Sequence, residues 1–200
     1  MSWEDFAKHA KDAADWGAAY HTNLRDLPVR AQTVPGDTAR QLEDTPPEDG
    51  CSLGAIMADF EKVVVPGITH WPHPRFIAYF SSNAAPASVL AEFLVSIIAP
   101  QCMLWQTSPA ATEMETQMMA WLRHGLGLPD VYQGVIQDSA SSATLAAVLT
   151  MRERALHFRG NIEGLHGAPQ LRIYCSDQVH SSIDRAIWVA GIGSDNLGKI

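Results

Sequence analysis

The chain has 200 residues and a mass of 21.8 kDa, and 46% of its residues are hydrophobic while 18% are charged. That length and balance are enough for a folded core and exclude disordered and fibrous proteins. Fourteen basic residues against 22 acidic ones give a net charge of −8. Since a chain this acidic lacks the positive surface that binds a phosphate backbone, we expect no nucleic-acid partner.

Residues 1–84 are predicted to form an N-terminal helical segment. Apolar residues at helical spacing indicate an amphipathic helix from Trp3 to Tyr20, and a second helix is expected from Leu53 to Val65. The proline-rich segment 26–50 between them indicates an extended crossing connection. Because two such helices bury little surface, we expect this layer to pack on the rest of the chain or on a partner subunit.

Residues 85–200 are predicted to form an α/β domain. Strands are expected at 134–137 and 171–175, each followed by a helix, which is the order of a parallel sheet flanked by helices. Two further helices are expected before them, over 87–98 and from the Ser108 cap to Leu126. The latter carries an apolar face that is predicted to be core, formed by Met114, Met118, Trp121, Leu122 and Leu126. Because parallel strands need neighbours on both sides, the chain is expected to be part of a larger protein.

Targeting and metal signals are weak throughout the chain. The N-terminus carries acids where a signal peptide carries bases, and the apolar stretch 84–104 is interrupted by prolines and a glutamate. We therefore expect a cytoplasmic protein that does not enter a membrane. The three cysteines form no CxxC pair and the eight histidines show no ligand spacing, so we expect no metal and no disulfide framework.

Two segments of the α/β part have the composition of a ligand site. Small residues at 139–144 separate a predicted strand from a helix, where outward backbone N–H groups and the helix dipole favour an anion such as phosphate. A well-capped helix start is the alternative. His180 follows the second strand, so both segments can face one crevice beyond the strand ends. Its imidazole could stack on a flat heteroaromatic ring or transfer a proton, or it could be structural.

A third segment, residues 67–83, packs aromatic side chains between prolines and serines. Such a rigid and partly polar loop could wall an apolar pocket, or it could be a plain strap over the core.

Several blocks in order resemble one known family. The blocks are Pro66 to Trp71, His73 to Phe80, Trp105 to Glu113, Gly134 to Leu145 and Ser176 to Ser182. Together they resemble the pyridoxal-phosphate-dependent group II amino acid decarboxylases, most closely the aromatic-L-amino-acid decarboxylases. The resemblance implies that residues 85–200 are the first part of a fold-type-I PLP-transferase large domain, with a mostly parallel sheet flanked by helices. It also implies a homodimer with exchanged N-terminal helices.

The resemblance assigns a role to each candidate site residue. Ala140 and Ser141 match the positions that hold the phosphate of pyridoxal 5′-phosphate, and His180 matches the catalytic histidine stacked on the pyridine ring. The matching substrate-pocket positions are Trp71, Tyr79, Phe80, Ser81 and Ser82, with Gln101 and Met103 contributed by the other subunit. Here the chain departs from the family, in which proline and threonine follow Tyr-Phe and the last two positions are isoleucine and phenylalanine. These departures alter what the pocket accepts.

The activity that the resemblance implies is removal of the α-carboxylate of an aromatic-type L-amino acid, giving an amine and CO2. The cofactor-binding lysine of the family, the aspartate that pairs with the pyridine nitrogen and the mobile-loop tyrosine are expected beyond residue 200. Lys8, Lys11, Lys62 and Lys199 do not lie in the matching context. The 200 residues alone are therefore not expected to decarboxylate. Two alternatives remain, an inactive fragment that acts in dimerisation and a full enzyme that carries out oxidative deamination to an aldehyde.

Overall fold

The computed structural model describes residues 2–80 and 82–200. The chain forms two compact units, residues 1–99 and 100–200. The domain boundary predicted after residue 84 concerns the complete enzyme and stays a prediction.

The first unit begins with helix α1, Trp3–Asn23. Its start is set by a capping box, in which the Ser2 hydroxyl accepts from the N–H of Asp5 (3.1 Å) and the Asp5 carboxylate accepts from the N–H of Ser2 (3.0 Å). The predicted amphipathic helix is confirmed and extends beyond Tyr20. On its inner side, the Trp16 ring meets Phe60 edge-on, with centroids 5.2 Å apart.

The second predicted helix is confirmed at its start and its end, but its hydrogen bonding changes along the way. Helix α2 spans Leu53–Asp59, continues as a π-helical turn over Phe60–Val64 and closes with a 3₁₀ turn at Val65–Gly67. Pro66 has no N–H, so a regular α-helix cannot continue through it. Helix α3, Pro86–Ile98, follows and ends at Ala99 in the left-handed conformation, with φ 48°.

Two buried histidines hold the loop after α2 in place, and one of them, His70, contacts α1. The Nδ1 atom of His70 lies 2.7 Å from the hydroxyl of Tyr20, and the backbone N–H of His70 donates to the carbonyl of Val29 (3.0 Å). The Nδ1 atom of His73 accepts from the N–H of Arg75 (3.0 Å). Both imidazoles are almost completely shielded from solvent, so this loop has a defined position on α1.

The second unit is a small α/β structure with four helices, α4 to α7, and two strands, β1 and β2, among the residues described. The helices span Pro109–Gly125, Ala140–Ala155, Gly160–Glu163 and Ser182–Val189. Strand β1, Ile173–Cys175, pairs in parallel with β2, Leu197–Lys199, and α7 forms the crossover between them. The parallel α/β arrangement is confirmed.

The core of this unit lies between α5 and α7. Val148 of α5 packs with Ala186, Ile187 and Ala190, and Ile187 is completely buried. Side chains of both strands, Ile173 and Leu197, cover the edge of this cluster. The core therefore holds the two helices side by side, with their first turns near each other.

Two sequence predictions are wrong in the described part of the chain. Residues 134–137 form no strand, because no described strand lies beside them, and the backbone N–H of Ile136 instead donates to the Glu115 carboxylate of α4 (2.7 Å). The apolar face predicted as core on α4 is exposed, because no described element covers Met114 or Trp121. No described helix combines the length and the hydropathy needed to cross a bilayer.

Candidate functional site

The start of α5 presents unbonded backbone donors. The hydroxyl of Ser139 accepts from the N–H of Ser142 (3.2 Å), and the first main-chain bond of the helix runs from Ala143 to the carbonyl of Ser139 (3.0 Å). The N–H groups of Ala140 and Ser141 come before these bonds and have no acceptor in the described chain. The dipole of the 16-residue helix adds positive potential at the same point.

His180 lies just before α7 with its ring exposed to solvent. Its Nδ1 atom accepts from the backbone N–H of Ser182 (3.2 Å). Because a backbone N–H can only donate, the neutral ring carries its proton on Nε2. The imidazole therefore has a defined tautomer, an accessible face and one N–H available to a ligand.

The structure brings these two helix starts together. The hydroxyl of Thr144, in the first turn of α5, lies 3.5 Å from the hydroxyl of Ser182 in the first turn of α7. The same Thr144 hydroxyl donates to the carbonyl of Ala140 (2.8 Å). The anion-site candidate and the His180 turn are thus neighbours, as predicted, although the strand expected before the first of them is not formed in the described structure. Sequence reasoning included Thr144 in the 139–144 turn and Ser182 in the block that ends the family resemblance, but it did not predict that the two side chains meet.

This donor set fits a phosphorylated heteroaromatic ligand. Two free N–H groups at a helix N-terminus suit a phosphate, and a nearby accessible imidazole face suits a planar ring. Among the residues that the structure describes, no cluster of three or more His, Cys, Asp and Glu side chains could hold a metal ion.

The aromatic loop of the first unit brings together two of the predicted pocket residues. The rings of Trp71 and Tyr79 stack with centroids 5.7 Å apart and planes 21° from parallel. Tyr79 has a φ of 52°, which is uncommon for a non-glycine residue. Phe80 and Ser82 are exposed and do not join this stack, and Ser81 lies outside the described residues.

Gln101 and Met103 lie at the beginning of the second unit, and both are exposed. The carbonyl of Gln101 accepts from the Thr107 hydroxyl (2.7 Å), which fixes the local turn before α4. The substrate role of these two residues stays a prediction, as do the cofactor and substrate roles of the other candidates.

Comparison with known proteins identifies relatives along the whole chain. Residues 35–197 match the family model of the pyridoxal-dependent decarboxylase conserved domain. The chain is 36% identical over 203 residues to tryptophan decarboxylase 2 of Oryza sativa subsp. japonica and 34% identical over 202 residues to phenylacetaldehyde synthase of Arabidopsis thaliana. Each alignment covers 98% of this chain and 40% of the relative, so the chain spans about two fifths of the length of these relatives.

The fold also matches a solved structure. The crystal structure of Oryza sativa TDC with PLP and tryptamine superposes with a TM-score of 0.91 at 30% identity, covering 100% of this chain and 44% of that chain. This match confirms the predicted fold class. The pyridoxal-dependent family match confirms the predicted cofactor, pyridoxal 5′-phosphate.

Proposed function

The chain belongs to the pyridoxal-dependent decarboxylase family, and we propose that the complete enzyme removes the α-carboxylate of an aromatic L-amino acid, giving an amine and CO2. The observation that carries the proposal is the pairing of the α5 start with the His180 turn through Thr144 and Ser182. This pairing supports the proposal, because backbone N–H groups free to bind a phosphate and an accessible imidazole then lie at the starts of adjacent helices.

The phosphate group is assigned to the N-terminus of α5. The free N–H groups of Ala140 and Ser141 and the hydroxyl of Ser141 would hold it, and the capping bond of Ser139 keeps this turn in place. The side chains here are small, so a phosphate can approach the backbone without obstruction.

His180 is assigned to the cofactor ring. The bond from the Ser182 N–H to Nδ1 orients the imidazole, which would keep the ring plane fixed. When bound, the cofactor accepts the electron pair left behind as the carboxylate departs as CO2. The Nε2–H of His180 stays available to donate to an anionic group of the substrate.

The substrate class is assigned from the aromatic loop. Stacked Trp71 and Tyr79 offer flat apolar surface of the kind that receives an aromatic side chain. We assign Phe80, Ser81 and Ser82 to the same pocket. Gln101 and Met103, contributed by the other subunit of the proposed dimer, would give it one amide and one flexible thioether, which favour an aromatic ring bearing a polar substituent over a purely hydrocarbon ring.

We also propose that the enzyme is a cytoplasmic homodimer. Helix α3 supports dimerisation because it has no buried residue and exposes an apolar stripe of Leu90, Leu94 and Ile98. An exposed apolar stripe of this kind marks a surface that packs against another protein surface. Sedimentation velocity of the full-length protein should give twice the mass of one subunit, and a monomer at micromolar concentration would contradict the dimer.

The activity is tested by product analysis. The full-length protein, loaded with pyridoxal phosphate, is incubated with L-tryptophan, L-tyrosine, L-phenylalanine and, as a control, L-glutamate. We expect the amine of at least one aromatic substrate together with an equal amount of CO2, and no product from glutamate. A cofactor-loaded enzyme that converts glutamate and none of the aromatic amino acids would refute the proposal.

A second candidate product is the aldehyde, and the similarity to phenylacetaldehyde synthase of Arabidopsis thaliana supports it. The same incubation distinguishes the two, because decarboxylation coupled to oxidative deamination consumes O2 and water and releases CO2, ammonia and hydrogen peroxide along with the aldehyde. Amine without peroxide indicates decarboxylation alone.

A further inference from the structure

Ser182 is a buried residue whose two donors both have assigned acceptors. Only 6% of it is exposed. Its backbone N–H donates to Nδ1 of His180 (3.2 Å). Its hydroxyl lies 3.5 Å from that of Thr144, and no buried side-chain polar atom in the described chain lacks a partner.

Counting the hydroxyl protons shows which of the two hydroxyls donates. Thr144 has one hydroxyl proton, which it donates to the carbonyl of Ala140 (2.8 Å). Its oxygen therefore faces Ser182 as an acceptor, and the Ser182 hydroxyl is the donor. The contact is longer than the distance of about 2.8 Å that is usual for hydroxyl pairs, so its individual contribution is modest.

From this chain of contacts we infer that Ser182 and Thr144 act together as positioning residues that hold the His180 ring at a fixed distance from the phosphate-binding turn. Ser182 connects to the ring through its N–H and to the turn through its hydroxyl and Thr144. The inference rests on the proposed function, since it gives both ends of the link a common cofactor. Neither residue is assigned a contact with the reacting atoms.

The location of the link explains why it matters for a rigid ligand. The helix core at Val148 and Ile187 aligns α5 with α7 further along their length. Near the helix starts, Leu145 and Ile183 also pack against this core. Among the described residues, the Thr144–Ser182 contact is the polar one between the two helices at this end, four residues after Ala140 and two after His180. A ligand whose phosphate and ring are covalently joined requires the phosphate-binding turn and the His180 ring at a matching distance. Loosening either of them should therefore weaken binding of the whole molecule.

The test measures pyridoxal phosphate affinity and the circular dichroism of the bound cofactor in the full-length enzyme. Ser182→Ala and Thr144→Val each remove one hydroxyl, whereas Ser182→Thr and Thr144→Ser retain it. Thr150→Val is the matched control, because Thr150 makes the same bond to a carbonyl four residues earlier in α5 (2.8 Å) and is exposed.

We expect Ser182→Ala and Thr144→Val each to weaken cofactor affinity by about twofold to threefold, the low end for one hydrogen bond, because the contact is long. The double variant should lose no more cofactor affinity than the single variant with the larger loss, because the two hydroxyls form one link. The cofactor dichroism should change in these variants, return with Ser182→Thr and Thr144→Ser, and be unaffected by Thr150→Val.

The inference would be overturned if Ser182→Ala kept the cofactor affinity and dichroism of wild type. It would also be overturned if the affinity losses of the two single variants added strictly in the double variant. Either result would leave the proposed function standing. Failure of the wild-type enzyme to bind pyridoxal phosphate would overturn both. If Ser182→Ala does not fold, Thr144→Val and the two hydroxyl-retaining variants decide the question by the same readouts.

Discussion

Glu153 is a buried carboxylate in α5, and its replacement by glutamine should destabilise the second unit strongly. Its side chain is 7% exposed. One carboxylate oxygen, Oε1, lies 2.9 Å from both Nε and Nη2 of Arg152, and the other, Oε2, accepts from the N–H of Asn161 (2.9 Å). Arg152 also donates to the carbonyl of Ala190 (2.8 Å), so the cluster joins the ends of α5 and α7 to α6.

Glutamine cannot satisfy this environment in either orientation. Its single amide oxygen can face Arg152 or Asn161, and its NH2 group then faces a donor at the other. The guanidinium also loses its counter-charge. Removing one partner of a buried ion pair costs about 3–5 kcal/mol, and we expect Glu153→Gln to lower the free energy of unfolding by that amount.

The matched control is Glu163→Gln, which breaks an ion pair of similar geometry at the surface. Arg159 and Glu163 are 2.7 Å apart and more than half exposed, so this change should cost less than about 0.5 kcal/mol. Urea denaturation of the full-length protein measures both changes, and hydrogen exchange of the peptide around Asn161 reports the local effect. Equal shifts for the two variants would refute the reasoning.

Three further changes have defined outcomes. His180→Ala should fold normally, since the ring is exposed, but retain pyridoxal phosphate about threefold to tenfold less well, and equilibrium dialysis giving unchanged affinity would exclude stacking. Burial, with a smaller effect of His73, lowers the pKa of His70. As the pH falls, the unfolded chain therefore takes up a proton on this imidazole before the folded chain does, and stability should fall below about pH 6.5. Thermal midpoints of His70→Gln with the same acid sensitivity as wild type would contradict this. Ile187→Ala should cost about 2–5 kcal/mol in urea denaturation because the side chain is fully buried, and a cost below 1 kcal/mol would show that the site collapses around the cavity.

Features set by short-range contacts were predictable from the sequence. The end of the second helix at Pro66 and the start of α5 at Ser139 depend on a missing N–H and on a capping hydroxyl, and both signals lie within a few residues. The neighbouring positions of the 139–144 turn and His180 were also predicted, but through a strand at 134–137 that the described structure does not form. The two turns are adjacent because α5 and α7 pack on one core.

Features that depend on distant partners were not predictable in this way. The composition of residues 134–137 favours an extended backbone. A strand also needs a neighbouring strand, and the sequence of this segment alone does not show whether one is present. The burial of Glu153 depends on Asn161 and Arg152 folding around it. The Thr144–Ser182 contact joins residues 38 positions apart, so neither residue carries a local signature of it.

The central claim is that the α5 start holds the phosphate of pyridoxal phosphate, and a cofactor titration of the full-length protein tests it most directly. Absorbance is recorded as pyridoxal phosphate is added to wild type, to Ser141→Asp and to Ser141→Ala. The account predicts a saturable protein-bound cofactor band in wild type. Ser141→Ala should give the same band at a higher pyridoxal phosphate concentration, because the backbone N–H remains and only the hydroxyl is lost. Ser141→Asp should give none, because a carboxylate would repel the phosphate. Equal saturation of Ser141→Asp and wild type would contradict the assignment of this turn to the phosphate.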